Sequence, residues 1–119
     1  MVTDVIVKLV GGLHRAGVPV VAGTDVGVPG HTLHRELELY VKGGFTPLEA
    51  IQAATITPAR VMKIENEVGT IEPGKRADLI ILDADPLENI SNIRKVRFVM
   101  TQGRLFDCAQ LWQITGFKP

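Results

Sequence analysis

The chain has 119 residues, in which 13 Lys and Arg balance 13 Asp and Glu for a formal net charge of zero. That balance leaves no electrostatic footprint for nucleic acid or an anionic membrane surface, and no apolar run approaches the roughly 20 residues needed to cross a bilayer. The single cysteine, Cys108, excludes an intrachain disulfide, and Met1-Val2-Thr3-Asp4 leads into a periodic segment unlike a signal peptide, so the expected compartment is the cytoplasm.

Thr3-Asp4 reads as a helix N-cap, and Val5, Ile6, Leu9, Val10 and Leu13 recur at helical spacing to make one apolar face ending near Gly17. Gly11 and Gly12 each cost such a helix about 1 kcal/mol against alanine, so tertiary packing must hold it. Val18-Pro19-Val20-Val21-Ala22 is apolar on consecutive residues, the pattern of an interior strand of a parallel sheet covered on both faces, and it stops at Gly23-Thr24-Asp25. In parallel α/β folds the chemistry lies beyond the carboxyl ends of the strands, which makes Asp25 a candidate site residue; the alternative is an Asp that caps its own turn. The turn-rich loop Val26-Gly27-Val28-Pro29-Gly30-His31 follows. A second helix is capped by Thr32, buries Leu33, Leu37, Tyr40 and Val41, and stops at Gly43-Gly44. His31 and His34 stand near the carboxylate, either as ligands or proton carriers of a substrate loop or as surface and capping residues.

Thr46-Pro47-Leu48-Glu49 is a capping box with proline at the first helical position, continuing through Ile51 and Ala54, and Thr57-Pro58 restarts a short helix through Met62. From Val68 the pattern becomes extended. Val68 to Ile71 predicts a short strand, Pro73-Gly74 a turn, and Ala77 to Asp83 a buried strand ended by Asp85-Pro86. Lys95 to Thr101 alternates and turns at Gln102-Gly103 into Arg104-Leu105-Phe106, a hairpin, while Leu111 to Pro119 reads as a tail with Trp112 and Phe117 as anchors.

Four stretches, taken in order, resemble the C-terminal part of the amidohydrolase superfamily: Gly23-Thr24-Asp25; Thr46-Pro47-Leu48-Glu49-Ala50; Ala53-Ala54-Thr55 with Pro58-Ala59; and Gly69-Thr70-Ile71-Glu72-Pro73-Gly74-Lys75-Arg76-Ala77-Asp78-Leu79. The resemblance runs from about Val5 to Phe106 and is nearest the imidazolonepropionase and prolidase-like branch. It implies an α/β fold in which residues 1–66 form the C-terminal end of a (β/α)8 TIM-type barrel, one buried parallel strand with flanking helices. Residues 67–107 then supply strands of a small composite β-sandwich, and 108–119 a tail. It further implies that Asp25 binds a divalent metal, commonly zinc, and carries the proton of the attacking water.

The superfamily's His-x-His pair, its bridging lysine or glutamate and its two further histidines have no counterpart here, where three histidines remain and none forms such a pair. A catalytic zinc takes about three protein ligands. The expectation is therefore an incomplete barrel that by itself holds little or no metal, whether a fragment, a truncated reading frame or one piece of a split enzyme. The implied function is the C-terminal part of a metal-dependent hydrolase cleaving a C–N bond of a small-molecule substrate. The alternative is a non-catalytic module that acts through self-association or a partner chain. A mean hydropathy of +0.18 with 45% hydrophobic residues is apolar for so small a domain, and an uncovered strand edge pairs readily, so a homo-oligomer, or association with a missing barrel portion, is expected.

Overall fold

The computed structural model describes residues 1–25, 28 and 30–116. In chain order they form α1 (Val2–Arg15), α2 (Thr32–Lys42), α3 (Pro47–Ala53), α4 (Ile56–Val61), β1 (Leu79–Leu82), a 3-10 helix (Ile90–Arg94), β2 (Val96–Thr101), β3 (Arg104–Asp107) and α5 (Cys108–Thr115). Val26, Gly27 and Pro29 of the predicted loop, and Phe117 of the predicted tail anchors, lie outside the described residues.

α1 forms where its periodicity places it but buries a different face. Val5, Ile6, Leu9 and Leu13, expected inward, are between 42% and 64% exposed; Val7 and Gly11 are buried instead, and of the predicted face only Val10 packs on the core. The cause is a backbone crossing. A Cβ on Gly11 would lie 1.9 Å from the Gly43 carbonyl oxygen, and one on Gly43 would lie 2.9 Å from the Val7 carbonyl oxygen. Two glycines thus let α1 and the end of α2 meet at a separation no side chain permits. Arg15 Nη1 donating to the Gly43 carbonyl (3.2 Å) and the Lys42–Asp4 ion pair (3.0 Å) close the two ends of this contact.

The capping box is realised in full. The Glu49 amide donates to Thr46 Oγ1 (3.2 Å), the Thr46 amide donates to Glu49 Oε2 (2.8 Å), and Pro47 opens α3. At α2 the expected cap differs: His31 occupies the N-cap position without a side-chain cap, and the Thr32 hydroxyl donates to the Val28 carbonyl (3.1 Å). The core is the cluster Leu37, Phe45, Ala50, Ile90 and Ile93, with Val20, Ala22, Tyr40 and Leu82 packed against it. It joins the helical half to the sheet half.

Val18 to Ala22, expected as a buried parallel strand, is extended but belongs to no sheet, and Val18 and Val21 stand 44% and 40% exposed while Val20 and Ala22 turn to the core. Parallel strands are held by neighbours on both edges, and among the described residues nothing pairs with this one. Val68 to Ile71 likewise forms no strand. Beyond it lies one antiparallel sheet in the order β1-β2-β3. The sequence expects a buried β1, yet Ile80 and Ile81, which point to opposite faces of this edge strand, are 43% and 42% exposed, while Leu82 packs on the core. The β2–β3 hairpin pairs Thr101 with Arg104 across Gln102 (φ 50°) and Gly103 (φ 75°), the two positive dihedrals of a tight two-residue turn. The tail is a correction too: Asp107 accepts from the Ala109 amide (2.8 Å) and caps α5, which packs on β2 and β3.

Candidate active site

The segment that carries Asp25 is anchored from both sides just before it. The Ala22 amide donates to the Ala53 carbonyl at the end of α3 (2.8 Å), and the Gly23 amide donates to Glu36 Oε1 on α2 (3.0 Å). Two residues on, the exposed Asp25 adopts φ 56°, a left-handed backbone that Asp and Asn tolerate better than other side chains. Glu36 is itself held. Tyr40, one helical turn along α2, donates its hydroxyl to the same Oε1 (2.5 Å), and its ring stacks on Phe45 (5.0 Å between centroids), which stacks in turn on His14 (3.8 Å). Burial, then the Glu36 carboxylate, keep the Tyr40 phenol protonated well above its ordinary range.

The two candidate histidines take different positions. His31 sits exposed at the N-cap of α2. His34 is half-buried, and its Nδ1 is buried without a hydrogen-bond partner among the described residues. Burial pushes its pKa down, with Arg94 adding to the effect, which favours the neutral ring. Among the described residues no three His, Cys, Asp or Glu side chains gather into a metal-binding group. Asp25, His31 and His34 therefore do not assemble a ligand set. One carboxylate falls short of the three protein ligands of a catalytic zinc, so the described residues do not fit a metal on their own.

Much of the family-like stretch is structural. Asp78 Oδ1 accepts from the Thr101 hydroxyl and the Gln102 amide (both 2.9 Å), fastening the hairpin turn, and these bonds hold its carboxyl below the usual range. Lys75 pairs with Glu72 (2.9 Å) and Thr70. A cleft of about 520 Å3 opens at the other end of the extended segment, over Val18 and Val20, but its ionisable pair His14–Glu49 (3.3 Å) is committed to the Phe45 stack and the α3 cap. Sequence reasoning missed Glu36 and Tyr40. Their only signal is an i, i+4 spacing on the helix after the carboxylate.

The sequence pattern of the amidohydrolase family matches residues 3–106. The chain belongs to that family. Ochratoxinase from Aspergillus niger is 40% identical over 100 residues, covering 80% of this chain and 21% of the relative, and imidazolonepropionase from Picrophilus torridus is 52% identical over 50 residues, covering 42% and 13%. The crystal structure of a Xaa-Pro dipeptidase with bound methionine superposes with a TM-score of 0.78 at 36% identity, over 86% of this chain and 25% of that one. This amidohydrolase chain thus spans about a fifth of the length of the ochratoxinase it matches. These neighbours imply a TIM-barrel-type fold, and the described residues carry helices and a three-stranded antiparallel sheet. No helix among the described residues is long and apolar enough to cross a membrane.

Proposed function

We propose that this chain supplies the last barrel segment of an amidohydrolase that hydrolyses a C–N bond, amide, cyclic amide or dipeptide, with Asp25 as its reacting carboxylate. The observation that carries the reading is the double anchoring of residues 22 and 23, which delivers Asp25 to the end of the extended segment in a left-handed backbone. A carboxylate there takes a proton from water as its oxygen attacks the carbonyl carbon, then gives that proton to the nitrogen as the C–N bond breaks. Amidohydrolases typically bind metals. In this reading a divalent metal, zinc first among them, belongs to the assembled site, where Asp25 would be one ligand and the rest come from outside the described residues. A chimera tests the assignment: this chain replaces the matching quarter of the Xaa-Pro dipeptidase, and release of proline from a dipeptide is followed. Turnover supports the reading; a folded chimera without turnover refutes it.

A second reading, a non-catalytic module acting through self-association or a partner chain, draws support from the outward apolar stripe of α1, Val2, Val5, Ile6 and Leu9, each more than half exposed.

A further inference from the structure

We propose that Glu36 is a positioning residue for Asp25, and that Tyr40 holds Glu36 in place for that task; the inference rests on the reading of Asp25 as the reacting carboxylate. Asp25 makes its own turn without help from regular structure: its segment lies in no ladder, and the residue sits exposed at φ 56°. What fixes its approach is the pair of bonds at Ala22 and Gly23. The Ala22 bond is backbone to backbone and independent of side-chain identity. The Gly23 bond depends on one side chain, Glu36, whose Oε1 accepts from both the Gly23 amide and the Tyr40 hydroxyl. A continuous packed line, His14 to Phe45 to Tyr40, then ties that oxygen to α1 through stacked rings. The arrangement carries the rigidity of three packed helices to a residue that lacks regular structure of its own, the usual way an outer group holds a reacting one within a fraction of an ångström. Misplacement by about 1 Å costs on the order of 100-fold in rate, which makes such a clamp worth more to turnover than to binding.

The test uses variants chosen to keep the packing. Glu36→Leu removes the acceptor, Glu36→Gln keeps an oxygen in its place, and Tyr40→Phe keeps the ring on Phe45 and removes only the hydroxyl. In the full 119-residue chain, Glu36→Leu is expected to abolish hydrogen-exchange protection at Gly23 while leaving Ala22 protected, and to move the Asp25 13Cα and 13Cβ shifts, which report its left-handed backbone, towards coil values. Glu36→Gln should restore both. In the dipeptidase chimera Glu36→Leu should lower kcat about 10- to 100-fold with KM within threefold, Tyr40→Phe should lower it less, and Glu36→Gln should recover most of it. Unchanged Asp25 shifts in Glu36→Leu, or a kcat within twofold of the parent per folded molecule, overturn the proposal. Asp25→Asn separates the two ideas: if it is inactive while Glu36→Leu turns over normally, only the positioning role fails, and if it remains active, both fail.

Discussion

Gly11 and Gly12 are adjacent in α1 and stand in opposite environments. A methyl group on Gly11 would run into the Gly43 carbonyl, whereas nothing lies within 4 Å of the corresponding point on Gly12. Gly11→Ala should therefore destabilise the chain by roughly 1–3 kcal/mol, the cost of overpacking a backbone contact that cannot yield, despite alanine's better helix propensity. Gly12→Ala should stabilise it by up to about 1 kcal/mol. Urea melts of the two variants read this directly, and equal effects would remove the helix crossing from the account. From the sequence both glycines read as costs to the helix, because the partner at Gly43 is far along the chain and local periodicity carries no information about it. Asp25 was legible as a carboxylate at the end of an apolar run. Its φ of 56° and the Glu36 bond to Gly23 just before it were not, since Glu36 lies 13 residues further along the chain and local pattern does not report it.

Element by element, local signals served well where the interaction is local. The Thr46–Glu49 capping box and the Gln102-Gly103 turn are each satisfied within a few residues, and both formed as read. Elements defined by distant partners did not. Val18 to Ala22 needs neighbouring strands, whereas α5 carries a local signal of its own, the Asp107 carboxylate that caps it at the Ala109 amide two residues on. The 3-10 helix at Ile90–Arg94 passed unread, although it fastens the sheet half to α2: Arg94 Nε and Nη2 donate to both oxygens of Glu38 (2.8 and 3.3 Å), with Arg35 at 3.2 Å. Glu38 is only 14% exposed, and these bonds, Arg94 foremost, bring its pKa from 4.5 down to about 2. A depressed folded-state pKa contributes stability that is present above the unfolded value near 4.5 and is lost as pH falls towards 2. The contribution at neutral pH is at most roughly 3 kcal/mol, because each tenfold weakening of proton affinity on folding is worth about 1.4 kcal/mol. Glu38→Gln should lower the melting temperature at pH 7 and flatten its fall between pH 4.5 and 2. A parallel fall in parent and variant would show that this pair contributes nothing to acid sensitivity.

Taken whole, the molecule is more open than its length requires. Its radius of gyration is 15.1 Å, against about 13.5 Å for a compact domain of this size, and α1, Val18 and Val21 present apolar surface to solvent. Burying roughly 400 Å2 of it returns about 10 kcal/mol before the costs of association, enough to compete with the marginal stability of a small domain. Sedimentation equilibrium at micromolar concentration should accordingly show species heavier than the 12.9 kDa chain; a single species of that mass would contradict the expectation. On the proposed reading those exposed faces would be covered in the assembled barrel, with Asp25 as its reacting carboxylate. Asp25→Asn is the decisive substitution, because asparagine is isosteric and equally at ease in the left-handed backbone, yet does not carry the proton. Measured in the dipeptidase chimera, kcat should fall at least about 1000-fold, on the order expected for losing a proton-transferring group and a metal ligand together, with the melting temperature unchanged. Turnover within about tenfold of the parent at the same melting temperature would contradict the assignment of Asp25.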